Sequence, residues 1–131
     1  MEKIVLPSKL TSLGNVAFGG CNAEIIFPLS LKSIPELGSN AVKKVTIPEG
    51  VETIGYQAFC SCSNLTEITL PSTITSIESE AFEGTGITSF NYPQNITNIP
   101  NGAFANTNLT EFQCQKKLQK LTIMHFIIAM I

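Results

Sequence analysis

Apolar side chains recur along the chain with a period of about 22 residues, and prolines mark the same point in successive copies. Pro7, Pro28, Pro48, Pro71 and Pro93 are separated by 21, 20, 23 and 22 residues. A further step of about 22 residues reaches Gln115, where we expect a sixth, degenerate copy. A period of this length is typical of repeat proteins in which each copy packs mainly against its neighbours.

Each of these positions is preceded by two apolar residues separated by one residue. The pairs are Ile4 and Leu6, Ile25 and Phe27, Val45 and Ile47, Ile68 and Leu70, Phe90 and Tyr92, and Phe112 and Cys114. Because alternate side chains of a strand point to opposite faces, each pair predicts the buried face of a short strand. Proline has no N–H for a continuing ladder, so each strand is expected to end there and the chain to turn back.

Aliphatic residues also follow each of these positions, three and six residues later. They are Leu10, Leu31, Val51, Ile74, Ile96 and Leu118, then Leu13, Ile34, Ile54, Ile77, Ile99 and Leu121. Four copies continue into an Ala-Phe pair, at Ala17-Phe18, Ala58-Phe59, Ala81-Phe82 and Ala103-Phe104. The spacing predicts an irregular or 3₁₀-like return path with a ring in the interior. Stacked coils would share a continuous core that a single coil could not bury.

The copies VTIPEGVETIGYQAFCSCSNLTEITL and ITLPSTITSIESEAFEGTGITSF resemble the BspA-like leucine-rich repeat family. Its consensus is a strand ending in Leu-Pro, an Ile or Val with Ile three later, Ala-Phe, and then Cys or Thr. The resemblance covers residues 3 to about 121. It implies an α/β-type repeat solenoid, mostly β: a right-handed leucine-rich repeat coil of about five to six turns, with a parallel concave sheet and an irregular or 3₁₀ convex side.

Two segments depart from this regular scheme. The second copy, FPLSLKSIPELGSNAVKKVTI, is short and lacks Ala-Phe, and we expect Leu37 or Val42 to take the place of the ring. We assign residues 1–121 to the solenoid domain and residues 122–131 to an apolar C-terminal tail. Our preferred interpretation is that the tail caps the last coil. The alternatives are that it docks another subunit or that the sequence is a fragment of a longer array.

Residues beside each buried pair are expected to face outward and to form the concave face. They are Lys3, Glu24, Lys44, Glu67, Ser89 and Glu111 in one row, and Val5, Ile26, Thr46, Thr69, Asn91 and Gln113 in the other. Pairing between neighbouring strands alone would explain the alternating charges of the first row. In leucine-rich repeat solenoids, however, this face is the usual binding surface. The candidate residues for binding a protein or glycan are Lys44, Thr46, Glu67, Thr69, Ser89, Asn91, Glu111 and Gln113.

Composition narrows the range of functions. The 131 residues suit one domain, and the net charge of −2 gives no basic excess for binding nucleic acid. The chain has no Asp, Arg or Trp and a single histidine, His125. An enzyme would have to join His125 to an acid such as Glu111, so we expect no catalytic function and no cofactor.

The four cysteines do not form a complete metal site. Cys60 and Cys62 form a C-x-C pair, but two further ligands are missing, and Cys62 and Cys114 fall on inward-facing positions. We therefore favour core packing for the cysteines over a metal or a disulfide.

Localisation stays open between two interpretations. The N-terminus lacks the apolar run of a signal peptide, and the eleven-residue run from Leu121 is too short to span a membrane. The sequons at Asn64, Asn95 and Asn108 also fit the repeat consensus, so turn hydrogen bonding is preferred to glycosylation. The resemblance implies a cell-surface or secreted protein of adhesion type that binds host or matrix proteins. An intracellular interaction scaffold is the alternative, and the oligomeric state is open.

Overall fold

The computed structural model describes residues 2–39 and 41–113, which form a parallel-sheet solenoid of about five turns. Within these residues there are nine short strands and no helix. The strands are β1 (Lys3–Val5), β2 (Glu24–Ile26), β3 (Ser33–Ile34), β4 (Lys44–Thr46), β5 (Thr53–Ile54), β6 (Glu67–Thr69), β7 (Ser76–Ile77), β8 (Ser89–Asn91) and β9 (Glu111–Gln113). The predicted tail at 122–131 and the end of the solenoid domain beyond residue 113 lie outside the described residues.

The strands before the prolines pair in parallel with the predicted register. β1 pairs with β2, β4 with β6, and β8 with β9, and the apolar centres of the strands lie opposite each other. In the first of these ladders the partners are Ile4 and Ile25. The period-two pattern before each proline therefore identified the strands and their register, because only this alignment brings the apolar side chains together.

The return path contains a second parallel ladder that the sequence analysis did not predict. β3, β5 and β7 pair in this order, so that Ile34, Ile54 and Ile77 are aligned. These residues belong to the aliphatic pairs expected on an irregular or 3₁₀ path. The strands are only two residues long, too short for a recognisable alternation of apolar and polar residues.

The outer turns of the first, third and fourth coils are each held to the next coil by three backbone hydrogen bonds. In the third coil, the N–H groups of Gln57, Phe59 and Ser61 donate to the carbonyls of the following coil at 2.8–3.2 Å. Residues with positive φ stand at the first and last of these positions. The first positions are Val16, Gln57, Glu80 and Gly102, and the last are Gly20, Ser61, Gly84 and Asn106.

Buried side chains fill the interior of the coils. The Phe82 ring centroid lies 5.6 Å from those of both Phe59 and Phe104, with interplanar angles of 3° and 11°. In the short second coil, Leu37 accepts from the Phe18 N–H and donates to the Ala58 carbonyl, and its side chain is fully buried. Its N–H thus matches the Phe residues of the regular coils and its carbonyl the Ala residues, while Val42, the other residue expected to replace the ring, is also buried.

Candidate binding surface

The outward-facing residues of β1, β2, β4, β6, β8 and β9 form a surface that we call the strand face. Their side chains alternate with the buried residues of each strand, as in Lys44–Thr46, where Val45 is buried between two exposed neighbours. All eight predicted binding residues are exposed on this face: Lys44, Thr46, Glu67, Thr69, Ser89, Asn91, Glu111 and Gln113. None of these side chains fills the core, so their identity is not restricted by core packing.

Ion pairs join the charged residues of two of the ladders. Lys3 Nζ lies 3.1 Å from Glu24 Oε2, and Lys44 Nζ lies 3.2 Å from Glu67 Oε2. These pairs link partners of the parallel register, as expected from the alternating charges. Such exposed pairs contribute only some tenths of a kcal/mol each. Their main effect on the surface is to neutralise the charges of both ladders.

The predicted binding residues do not lie on one continuous ladder. The register brings Thr46 beside Thr69 in β4–β6, and Asn91 beside Gln113 in β8–β9. Within residues 41–113, however, no ladder joins β6 to β8. Ile68 is only half-buried although its strand lies in a middle coil, which fits an open strand edge. The strand face is therefore divided, and its C-terminal part consists of β8 and β9 alone.

A shallow depression of about 220 Å³ lies on β8 and β9. It is lined by Ser89, Phe90, Asn91, Glu111 and Gln113. Four of these were predicted as binding residues, whereas the sequence analysis assigned Phe90 to the core alone. Phe90 is 6% exposed, and its ring packs in the core beneath these polar side chains.

A larger open groove, of about 920 Å³, lies where the chain enters β1, β2 and β4. Its lining includes Cys21, Ala23 and Val42 together with charged residues at the strand starts. The groove is beside the short second coil and borders the N-terminal end of the strand face at Lys3 and Glu24. We base the candidate site on the strand face, because that surface presents matched polar side chains in register.

The cysteines of the described residues act as turn residues. Cys62 is buried, and its N–H donates to the Phe59 carbonyl. At the equivalent places, the hydroxyls of Thr85 and Thr107 donate to the carbonyls of Phe82 and Phe104 at 2.9 and 2.8 Å. Within residues 2–39 and 41–113, no three His, Cys, Asp or Glu residues are grouped as a metal site would require. Cys114 and His125 lie outside the described residues.

The three sequons lie at the surface. Asn64, Asn95 and Asn108 are all exposed. Two of the sequon threonines, Thr66 and Thr110, donate their hydroxyls to carbonyls of the preceding coil. The hydroxyls therefore link neighbouring coils, and the asparagines are still accessible at the surface. No helix able to cross a membrane occurs in the part of the chain that the structure describes.

Two solved structures resemble this chain, which spans about a third of the length of each. A leucine rich cell surface protein from Faecalibacterium prausnitzii is 30% identical, with a TM-score of 0.72 over 87% of this chain and 33% of that protein. A leucine-rich repeat protein from Bacteroides ovatus is 27% identical, with a TM-score of 0.71 over 86% of this chain and 33% of that one.

Comparison with protein families also identifies leucine-rich repeats in this chain. No curated protein matches the chain. The family model described as BspA type leucine rich repeat region matches six copies, over residues 1–38 and 37–127. The chain therefore belongs to the BspA-type leucine-rich repeat family.

Proposed function

We propose that this protein is a non-enzymatic recognition module that binds a protein or glycan through its strand face. The observation that carries the proposal is the regular presentation of polar side chains. Thr46 lies beside Thr69 and Asn91 beside Gln113, and all four are exposed. A solenoid can change such residues without losing core packing, which makes the face suitable for specific contacts.

Membership of the family supports an adhesion-type role at the cell surface or after secretion. One of the similar structures is a leucine rich cell surface protein. The alternative is an intracellular interaction scaffold. It is favoured by the thiols of Cys21, Cys60 and Cys62, since exported proteins often convert cysteines to disulfides.

The binding proposal is tested by surface plasmon resonance with the protein immobilised and with fibronectin, laminin, fibrinogen and a set of neutral oligosaccharides as probes. We expect at least one probe to bind, and the double variant Asn91→Ala, Gln113→Ala to weaken that binding about tenfold, because two interfacial hydrogen-bonding groups are lost. The matched control is Asn64→Ala, Asn95→Ala, which removes two exposed amides outside the strand face. Equal loss in both double variants, or none in either, would contradict the proposal.

Protein isolated from its native cell would distinguish export from an intracellular location. A mobility shift on glycosidase treatment, traced to Asn64, Asn95 or Asn108, would support export. Reactive thiols at Cys21 and Cys60 with no glycosidase shift would support the intracellular alternative.

A further inference from the structure

Lysine–glutamate pairs occur in the first two ladders of the strand face but not in β8–β9. In β1–β2 and in β4–β6, a lysine on the first strand pairs with a glutamate on the second. The equivalent partners in β8–β9 are Ser89 and Glu111. A hydroxyl thus stands in the place of the cation, and none of the lysines in residues 2–39 and 41–113 lies within ion-pair distance of Glu111.

Polar, uncharged side chains lie beside this carboxylate. Asn91 and Gln113 form the next pair of the same register, so two side-chain amides lie beside Ser89 and Glu111. Each amide offers a carbonyl oxygen, the hydroxyl offers another acceptor, and the ionised carboxylate only accepts. The site therefore combines one negative charge with a hydroxyl and two amides, each of which can accept a hydrogen bond.

The size of the depression indicates what can enter it. Its volume of about 220 Å³ is below the roughly 300–1,000 Å³ of pockets that enclose small-molecule ligands. It suits one long side chain of a larger partner that rests on the surrounding strand face. The site would then contribute specificity to an interface instead of enclosing a whole ligand.

We propose that this depression binds an arginine side chain of a protein partner, with Glu111 as its counter-ion; this inference rests on the proposed recognition function. A guanidinium group carries five N–H donors in one plane and is less strongly hydrated than an ammonium group. It can bond the carboxylate and an amide oxygen at once through N–H groups that lie in one plane. A lysine could satisfy the charge but not this planar arrangement.

The structure argues for a protein and against a glycan at this position. A sugar ring packs its apolar face well on an exposed aromatic ring, yet Phe90 is only 6% exposed. The outward residues of β8 and β9 are Ser89, Asn91, Glu111 and Gln113, and none of them is aromatic. A carboxylate that no lysine of the described residues pairs with instead favours a cationic group.

The inference is tested by NMR titration of the ¹⁵N-labelled full chain with N-acetyl-arginine amide. We expect saturable shifts of the amide signals of Ser89, Asn91, Glu111 and Gln113, with an affinity in the millimolar range usual for a small fragment. The matched control probe is N-acetyl-citrulline amide, which has nearly the same shape without the charge. Equal shifts with citrulline, or saturable binding of methyl glucoside at these residues, would overturn the inference.

Two variants remove the site in different ways. Glu111→Gln removes the charge, and Ser89→Lys supplies an internal cation, as Lys3 and Lys44 do for the other ladders. Both should weaken arginine amide binding about tenfold or more, because a hydrogen bond to a charged group is lost. The controls are Glu52→Gln and Ser63→Lys, which make the same charge changes at exposed positions outside the strand face.

The outcomes separate this inference from the proposed function. Retained arginine amide binding in Glu111→Gln or Ser89→Lys would overturn the arginine site. If, in that case, the Asn91→Ala, Gln113→Ala variant still lost its protein or glycan probe, the recognition function would stand without it. Loss in Ser89→Lys but not in Ser63→Lys would support direct pairing with Glu111 over a general effect of charge.

Discussion

At the scale of single residues, the outer turn imposes a conformation that most side chains resist. Residues there with positive φ direct their N–H groups to carbonyls of the next coil, as Val16 does to Glu36. The left-handed conformation costs a non-glycine residue roughly 1–2 kcal/mol, and branching at Cβ makes it least favourable. Val16 has a φ of 59° at a position where the fifth coil has Gly102. The inter-coil hydrogen bonds stabilise a strained turn in the first coil.

The change Val16→Gly should therefore stabilise the protein. Relief of the strain exceeds the greater entropy that glycine loses on folding, so we expect a gain of about 0.5–1 kcal/mol in the free energy of unfolding. The measurement is urea denaturation followed by circular dichroism. The reciprocal change Gly84→Val places a branched residue at a φ of 68° and should destabilise by about 1–2 kcal/mol. A destabilised Val16→Gly together with a neutral Gly84→Val would show that the turn is not strained.

At the scale of elements, the aromatic column couples neighbouring coils. Phe59, Phe82 and Phe104 come from three successive coils, and each lies at the same place in the turn. Phe82 is fully buried between the other two, whereas Phe18 of the first coil is only half-buried. The same sequence feature, Ala-Phe, therefore differs in energetic weight according to the number of coils that cover it.

Truncation of these rings should reveal that difference. We expect Phe82→Ala to cost about 3–5 kcal/mol, the usual range for a buried Phe, and Phe18→Ala to cost roughly half as much or less. Both are measured from the midpoint and slope of chemical denaturation. Equal losses at Phe18 and Phe82 would mean that burial by neighbouring coils does not determine the contribution of the ring.

The repeat pattern predicts which side chains fill the core. It predicts less well the turns and ladders that depend on backbone hydrogen bonds. Ile25, Val45 and Phe90 were assigned to the buried faces of strands from their spacing, and the structure buries them. The left-handed turn positions gave no signal, because residues as different as Val16, Gln57 and Gly102 occupy one of them. There the hydrogen bonds between coils select the conformation, and a side-chain pattern does not encode them. The break between β6 and β8 was missed for the same reason, since both strands have the expected apolar centre.

At the scale of the whole molecule, stability is distributed along the solenoid axis. In a repeat protein each coil contacts only its neighbours, so stability is approximately a sum over coils and their interfaces. Among the strands of the described residues, β1 contacts β2 alone, whereas β2 also contacts β4. The apolar residues of the first coil are accordingly half-buried: Ile4, Leu6, Leu10, Leu13 and Phe18. Their equivalents in the third coil, Val45, Ile47, Val51, Ile54 and Phe59, are at most 2% exposed.

Hydrogen exchange should show this difference as a gradient along the axis. The Phe18 and Phe59 amides make the same bond to the next coil, at 3.0 and 2.8 Å, so they allow a matched comparison. We expect Phe18 to exchange at least about tenfold faster, because opening the first coil exposes less apolar surface than opening a middle one. The measurement is amide exchange by NMR at constant pH, corrected for intrinsic rates. Equal protection of the two amides would mean that the coils unfold as a single cooperative unit, and the additive description of the solenoid would then fail.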